Sequence, residues 1–310
     1  MKGVVGVCAL VGVLAFAGAA SGQSGSASLA RALARALVVP QVSRASTGAV
    51  AIDLRTGRVL YALNPDLPLA PASNEKLAVT YAALVRLGPS FRFGTNVLAT
   101  GHRVGATWKG NVFLRGGGDP TLTVYGLRNL ALQLRSAGIR RISGDVLADE
   151  SRFDTKRSAP GWKPSFAMYE SAPLSALVVD RAQFLGRTTP DPAGAAAAIF
   201  VQVLDRNGVR VRGQSAWGTA PANAVLLAAT KSQRLASILG FMDRESDNFT
   251  AEMLLKTLGR GSTAAGAVVV VQTLRAAHVP LRGVRIADGS GLSSRDRLTA
   301  RAIAGILQAA

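Results

Sequence analysis

A serine and a lysine lie one helical turn apart in the stretch PASNEKLAVTYAAL, residues 71–84. Residues three apart share one face of a helix, so Ser73 and Lys76 are expected to face each other. A serine hydroxyl becomes an effective nucleophile when a base takes its proton, and a lysine of lowered pKa can be that base. The amino end of a helix also favours the oxyanion of acyl transfer. Alternatively, Ser73 only caps the helix and Lys76 is exposed.

A second group of polar residues, Ser246-Asp247-Asn248, lies between two helical runs. A serine hydroxyl can relay a proton, and an asparagine amide can bind a substrate carbonyl and a substrate N–H together. Serine, aspartate and asparagine also favour turns, so the alternative is a polar turn without chemistry. Both motifs are short, and neither specifies a function by itself.

The elements around the first motif are predicted from periodicity and turn residues. The runs GAVAIDL and RVLYAL flank Arg55-Thr56-Gly57 and predict a hairpin. The stretch that contains Ser73 continues as a helix and ends at Gly88-Pro89. Its predicted buried stripe consists of Leu77, Tyr81, Leu84 and Val85.

The rest of the chain alternates between strands and helices. From residue 91, the strands FRFGTNVLATG, GNVFLRGGGDP, RRISGDVLADESRF and VRVRG are interleaved with the helices LRNLALQLRSAG and DPAGAAAAIFVQVLDRNG. From about residue 235 three helices follow, then a strand and glycine turn in VRIADGSGL and a last helix in LTARAIAGILQAA. The pattern predicts a mixed α+β protein.

The composition limits the classes of partner. The chain has 36 Lys and Arg against 18 Asp and Glu, which gives a formal net charge of +18. Such a charge attracts polyanions and anionic lipid, so association with a membrane surface is open. No recognised nucleic-acid module is present, and we expect no nucleic-acid partner. With Cys8 as the only cysteine and only His102 and His278 as histidines, we expect no metal site and no cofactor.

The amino terminus has the layout of a secretory signal peptide over residues 1–20. One lysine precedes a long apolar stretch that ends in the small residues Ala17-Gly18-Ala19. The alternative is an uncleaved membrane anchor, because the apolar stretch is nearly long enough to span a bilayer. Either interpretation predicts an exported protein in the periplasm or cell envelope.

Together the two motifs are similar to those of the serine penicillin-recognising enzymes. Five further stretches narrow the resemblance to the D-alanyl-D-alanine carboxypeptidase/endopeptidase family, peptidase family S13. These are FRFGTNVLATG, LRGGGDPTL, GDVLADESRF, YESAPLSAL and VRIADGSGLSSRDRLT. The similarity extends from about Gly48 to the last residue.

The resemblance implies a role for each matching residue. Ser73 is then the nucleophile and Lys76 its general base, while Ser246 relays protons and Asn248 orients the substrate amide. The backbone N–H of Ser73 supplies half of the oxyanion hole. The resemblance implies no role for Asp247.

One motif of the family is missing from the sequence. The family carries a Lys-Thr-Gly strand motif that binds the substrate carboxylate, and residues 1–310 contain none. The stretch Lys256-Thr257-Leu258-Gly259 is close to it but falls on a helical run. We therefore expect the chain to be incomplete at its carboxyl end, and we expect the 310 residues alone to turn over substrate poorly.

The implied fold is the penicillin-binding/β-lactamase-like transpeptidase fold, with an antiparallel sheet and helices, lacking its C-terminal strands. Residues 21–90 and 230–310 are predicted to form this discontinuous domain, and residues 91–229 an inserted α/β domain. The implied function is cleavage of peptidoglycan peptides that end in D-Ala-D-Ala, with β-lactams as covalent inhibitors. The alternatives are a β-lactamase-like hydrolase and a non-catalytic cell-envelope binding module.

Overall fold

The computed structural model describes residues 23–310. The predicted signal peptide and Cys8 therefore lie outside the described residues. Within the described chain, the α-helices are α1 (Gln23–Ala36), α2 (Glu75–Leu87), α3 (Val124–Ser136), α4 (Phe166–Tyr169), α5 (Pro192–Arg206), α6 (Leu235–Glu245), α7 (Asn248–Leu258), α8 (Thr263–Ala276) and α9 (Ala300–Ala309).

The strands are short, and those within residues 102–109, 183–188 and 215–231 were not predicted from the sequence. In residues 23–310 they are β1 (Ala49–Ile52), β2 (Val59–Leu63), β3 (Gly94–Ala99), β4 (His102–Val104), β5 (Thr107–Lys109), β6 (Val112–Arg115), β7 (Arg141–Ile142), β8 (Val146–Asp149), β9 (Gln183–Phe184), β10 (Arg187–Thr188), β11 (Arg210–Val211), β12 (Ser215–Trp217) and β13 (Val225–Lys231).

The largest sheet in the described chain has five strands in the order β12-β8-β6-β3-β13. Strands β13 and β6 pair antiparallel with β3, whereas β8 pairs parallel with both β6 and β12. A parallel pair needs a long crossover connection, and the segments that contain α3 and α5 supply these. A smaller sheet has the order β11-β7-β5-β4, and β1 and β2 form the predicted hairpin.

Two large hydrophobic cores draw on different parts of the chain. The first lies between the five-stranded sheet and helices α3 and α5, and it includes the fully buried Leu114, Leu130 and Phe200. The second is helical and includes Val79, Leu254 and Val270. The domain boundaries proposed above stay a prediction.

Helix α2 lies at the centre of the second core. It contacts α6, α7, α8 and α9, and α9 in turn packs against β1. The face of α2 that is buried carries small side chains, including Ala78, Ala82 and Ala83. Small side chains let neighbouring helices approach closely, so a helix surrounded on several sides holds its first turn firmly in place.

Two predictions from the sequence were wrong in detail. The predicted stripe on α2 is not its buried face: Leu77, Tyr81 and Leu84 are only partly buried at its margin, and Val85 is 57% exposed. The predicted strand in VRIADGSGL is a single antiparallel bridge between Arg285 and Arg297. Instead of a β-ladder, hydrogen bonds from backbone N–H groups to the carboxyl groups of Asp288 and Asp296 organise this segment.

Within residues 23–310, no single helix has the length and apolar composition of a membrane span. The pair formed by α7 and α8, bent by 81° at their junction, reaches both criteria only when the two helices are taken together.

Candidate active site

Ser73 lies in a 3-10 turn, Ala72–Asn74, that leads directly into α2. Its hydroxyl is exposed at the surface, whereas Lys76, in the first turn of the helix, is only 2% exposed. Asn74 occupies the capping position of α2, and no side chain there makes a capping hydrogen bond. The alternative of a simple helix cap with an exposed lysine is therefore wrong.

The ammonium group of Lys76 is surrounded by three oxygen acceptors. Its Nζ donates to Oδ1 of Asn248 at 2.8 Å and to the backbone carbonyl of Ser290 at 2.8 Å. A longer hydrogen bond of 3.4 Å joins Nζ to Oγ of Ser73. The structure thus brings Ser73, Lys76 and Asn248 together, as the spacing and the resemblance imply.

The second motif forms a tight turn between α6 and α7, and it also reaches Ser73. Ser246 has a left-handed backbone, with φ of 55° and ψ of 41°, and ends α6. Its hydroxyl donates to Oγ of Ser73 at 2.6 Å. Asn248 begins α7, and its Nδ2 donates to the carbonyl of Glu170 at 3.0 Å. The motif is therefore a helix-to-helix turn, as predicted, and its polar groups contact Ser73 and Lys76.

A loop of the DGSGLS stretch presents the Ser290 carbonyl to Lys76. Oε1 of Glu252 accepts the backbone N–H groups of Gly289 and Ser290, both at 2.8 Å. Gly291 has φ of 84°, and a Cβ there would lie 1.8 Å from the carbonyl oxygen of Ala72. Only glycine allows this loop to lie directly against the turn that carries Ser73.

Asp288 fixes the same loop from its other side. Its Oδ1 accepts the N–H of Gly291 at 2.7 Å, and its Oδ2 accepts the N–H of Ser293 at 2.8 Å. The indole Nε1 of Trp162 also donates to Oδ2 at 2.8 Å. A buried carboxylate with this many donors orients the loop with little freedom.

Four carboxyl groups close to one another are buried in this region: Glu75, Glu252, Asp288 and Asp296. Burial, reinforced by the charge of Asp288, raises the pKa of Glu252 to about 8. Burial and the neighbouring Asp288 likewise raise the pKa of Asp296 to about 8. Burial raises the pKa of Glu75 well above its ordinary value, and neither of its carboxyl oxygens has a hydrogen-bond partner within the described chain. Glu252 and Asp296 are therefore largely protonated at neutral pH.

Burial lowers the pKa of Lys76 below its ordinary value, and the charges of Glu252 and Asp288 oppose that shift. Protonation of the surrounding carboxyl groups removes negative charge that would otherwise hold the proton on the amine. The environment thus makes Lys76 easier to deprotonate than an exposed lysine. Residues 23–310 contain no group of three or more His, Cys, Asp or Glu side chains arranged to hold a metal ion.

Sequence reasoning missed several residues that build this site. Glu252 lies one turn after Asn248 on α7, and this spacing was the only feature of the sequence that placed it on the same helix face as Asn248. Ser290 and Asp288 belong to a stretch that carried the family resemblance, but nothing in the sequence pointed to the Ser290 carbonyl as an acceptor for Lys76. Trp162 and Arg181, which contact Asp288 and Asp247, had no signal at all.

The Lys256-Thr257-Leu258-Gly259 stretch is helical, as the sequence predicts. Lys256 lies in α7, is fully buried and donates to Oδ1 of Asp154. Its Nζ also lies 5.8 Å from the ring centroid of Phe153. This lysine serves packing within the fold rather than the site around Ser73.

Comparison with known proteins identifies the family of the chain. The family model described as D-Ala-D-Ala carboxypeptidase 3 (S13) matches residues 29–195 and 183–310. The chain belongs to the S13 family. The resemblance inferred from the sequence is thereby confirmed.

The S13 chain is similar to several curated proteins. A D-alanyl-D-alanine carboxypeptidase of Actinomadura sp. (strain R39) is 29% identical, and the match covers 86% of this chain and 65% of that relative. A carboxypeptidase of Mycobacterium tuberculosis is 32% identical, and the match covers 83% of this chain and 59% of the relative. The S13 chain therefore spans about three fifths of the length of these relatives.

Solved structures show the fold. Penicillin binding protein 4 from Haemophilus influenzae matches with a TM-score of 0.76 at 22% identity, covering 84% of this chain and 74% of that one. A structure of the same protein in complex with a novel β-lactam matches with a TM-score of 0.66. The predicted penicillin-binding fold of mixed α+β class is confirmed.

Proposed function

We propose that the protein is a serine-type D-alanyl-D-alanine carboxypeptidase that acts on peptidoglycan stem peptides through an acyl-enzyme on Ser73. Endopeptidase cleavage of D-amino-acid cross-links belongs to the same proposal, because it uses the same acyl transfer. Membership in the S13 family supports the reaction class. The proposed site consists of Ser73 and Lys76 from the first motif and Ser246 and Asn248 from the second. The substrate and the activity are inferred from the family.

The observation that carries the proposal is the arrangement of acceptors around Lys76. A neutral amine has two N–H groups and one lone pair. The Asn248 amide oxygen and the Ser290 carbonyl can only accept, so they take both N–H groups. The lone pair is then left for the remaining neighbour, the hydroxyl of Ser73. This is the arrangement that a general base needs.

The proposed reaction has two steps. Oγ of Ser73 attacks the carbonyl carbon of the penultimate D-alanine and passes its proton to Nζ of Lys76. The C–N bond to the terminal D-alanine breaks, and Lys76 returns this proton through the Ser246 hydroxyl to the leaving nitrogen. Water then attacks the ester and gives a proton to Lys76, the bond between the acyl carbon and Oγ breaks, and Lys76 passes that proton to Oγ of Ser73. Water is the only co-reactant, so no cofactor takes part.

Two side chains have further proposed roles. Asn248 holds the substrate amide while it keeps its oxygen on Lys76. A β-lactam carbonyl takes the place of the peptide carbonyl and acylates Ser73. The proposal also includes export of the protein to the periplasm or cell envelope, where peptidoglycan is found.

Acylation by a labelled penicillin tests the proposal. Intact-mass and peptide mass spectrometry of the complete gene product should place one penicilloyl group on Ser73. Ser73→Ala should lose it, while Ser237→Ala, which changes an exposed serine on α6, should keep it. Release of D-alanine from an acylated peptide ending in D-Ala-D-Ala should follow the same pattern.

Other outcomes contradict the proposal. Absence of any adduct on Ser73 would exclude the acyl-enzyme. An adduct that clears within seconds, without peptide cleavage, would indicate a β-lactamase-like hydrolase. Binding to isolated cell wall that survives Ser73→Ala, without acylation or peptide cleavage, would indicate a non-catalytic binding module.

A further inference from the structure

A strained segment of backbone lies beside the second motif. Asp180, Arg181 and Ala182 are consecutive and left-handed, with φ of 45°, 55° and 60°. Residues other than glycine rarely adopt this conformation, and it persists where surrounding contacts enforce it. The backbone N–H of Asp180 donates to the carbonyl of Leu122 at 2.9 Å, and that of Thr189 donates to Ala182 at 2.9 Å. The segment is thus fixed to its surroundings at both ends.

The side chain at the middle of this segment reaches the turn that carries Ser246 and Asn248. Nη1 of Arg181 donates to Oδ2 of Asp247 at 2.6 Å. The Arg181 guanidinium also lies 5.9 Å from the ring centroid of Phe241 and 5.6 Å from that of Phe249. These two rings flank the second motif in sequence, one on each side. Arg181 therefore contacts the end of α6, the turn and the start of α7.

Asp247 divides its two carboxyl oxygens between this contact and its own helix. Oδ2 accepts from Arg181, and Oδ1 accepts the backbone N–H of Thr250 at 2.7 Å. Burial alone raises the pKa of Asp247, but hydrogen bonds from Arg181 and Thr250 outweigh burial and leave the pKa below its ordinary value. The Asp247 side chain is 13% exposed and that of Arg181 is 42% exposed, so the pair is partly protected from solvent.

The position of Asp247 sets the direction of both of its neighbours. Ser246 precedes it in a left-handed conformation, which a non-glycine residue does not adopt readily. Asn248 follows it as the first residue of α7. A rotation of the turn would move the Ser246 hydroxyl away from Ser73 and the Asn248 oxygen away from Lys76.

We propose that Arg181 is a positioning residue that holds the Ser246-Asp247-Asn248 turn in register with Ser73 and Lys76. It does so through the ion pair with Asp247 and through stacking against Phe241 and Phe249. The catalytic consequence rests on the proposed function, whereas the structural consequence does not.

Variants of the pair separate the two consequences. Arg181→Gln removes the ion pair, and Asp247→Asn keeps an oxygen for Thr250 but removes the charge. Arg187→Gln is the matched control, because Arg187 is exposed on β10 and undergoes the same change of charge. Arg181→Lys tests rescue by charge without the planar guanidinium.

The first measurement is amide hydrogen exchange over residues 246–250. Arg181→Gln should accelerate exchange there by about tenfold or more, while exchange in α8 stays unchanged. Arg187→Gln should match the wild type. Equal protection of residues 246–250 in Arg181→Gln and Arg187→Gln would overturn the proposal, whether or not the protein reacts with β-lactams.

The second measurement is the rate of acylation of Ser73 by a labelled penicillin. Arg181→Gln should slow acylation at saturating penicillin by roughly 10- to 100-fold, because a misplacement of about 1 Å has effects of this size. The dissociation constant of the non-covalent complex should change little. Asp247→Asn should be as slow, the double variant no slower, and Arg181→Lys intermediate.

The two measurements distinguish failure of the proposed function from failure of the positioning role of Arg181. Absence of acylation in the wild-type protein would count against the proposed function, and hydrogen exchange would then decide the positioning role alone. Normal acylation by folded Arg181→Gln, with Ser73→Ala unreactive, would overturn the positioning role and leave the proposed function intact.

Discussion

Nζ of Lys76 lies 2.8 Å from the carbonyl oxygen of Ser290, which comes 214 residues later in the chain. A backbone carbonyl can only accept a hydrogen bond, so this contact always uses an N–H of the lysine. Together with the contact to Asn248 it leaves one position on the nitrogen for Ser73. Whether that position is a proton or a lone pair depends on pH.

Acylation of Ser73 should therefore become faster as the pH rises. Protonated Lys76 has no lone pair for the serine proton, and burial lowers its pKa below the ordinary value of 10.5. The increase should occur below pH 10.5 in a profile of acylation rate against pH. Lys76→Arg keeps a permanent charge and should react about 10²- to 10⁴-fold more slowly at every pH. A flat profile for the wild-type protein would contradict a lysine base.

Replacements of Ser246 should separate stability from reactivity. The left-handed backbone favours glycine, so Ser246→Gly should raise the free energy of unfolding by about 1 kcal/mol relative to Ser246→Ala. Both variants lose the hydroxyl that contacts Ser73, and both should slow acylation by roughly 10²-fold or more. Urea denaturation and penicillin labelling measure the two effects. A Ser246→Gly protein that acylates at the native rate would exclude the proton relay.

The stability of the protein should fall as the pH rises from about 4.5 to about 8. Glu252 has a pKa of about 8 in the folded protein and an ordinary value of 4.5, so the folded state binds the proton more tightly. The stabilisation is complete below pH 4.5 and is lost as the pH approaches 8. Glu252→Gln keeps the oxygen that accepts from Gly289 and Ser290, yet it cannot titrate.

Urea denaturation at several pH values measures this effect. The wild-type protein should lose on the order of 1–3 kcal/mol between pH 5 and pH 8, and Glu252→Gln should lose clearly less. Glu245→Gln, at an exposed position two residues before Asp247, is the control and should follow the wild type. Identical pH dependence in all three proteins would mean that Glu252 is not protonated in the folded protein.

Lys256 should matter for stability and not for acylation. Lys256→Met fills a similar volume but leaves Asp154 without its buried partner. Because the Asp154 side chain is 34% exposed and can be hydrated, we expect a loss of about 1–3 kcal/mol rather than unfolding. Thermal unfolding and penicillin labelling of the folded protein check both parts. A large loss of acylation would give the Lys256-Thr257-Leu258-Gly259 stretch a role that its position in α7 argues against.

Local elements were predictable because their signals are local. The hairpin β1–β2, the helix after Ser73 and the helices α6 to α9 follow from turn residues and periodicity within about 15 residues. The buried face of α2 was not predicted correctly, because the prediction assigned the largest apolar side chains to it. Close packing of several helices instead buries the small face of Ala78, Ala82 and Ala83.

The candidate site could be predicted only in part. Spacing placed Ser73 beside Lys76, and the resemblance added Ser246 and Asn248. Long-range contacts supply the rest, including the Ser290 carbonyl and the buried carboxyl groups. In the sequence Glu75 and Glu252 are indistinguishable from surface residues, and only the fold shows that both are fully buried.

The distance along the chain between Ser73 and its partners has a consequence for biosynthesis. Ser73 is made first, and the Ser246 hydroxyl that touches it comes 173 residues later. The Ser290 carbonyl is made later still. A nascent polypeptide of 200 residues therefore lacks Ser246, Asn248 and Ser290, whose hydrogen bonds to Ser73 and Lys76 form only in the longer chain. The cluster around Ser73 is therefore complete only when α6, α7 and the loop that contains Ser290 have packed onto α2.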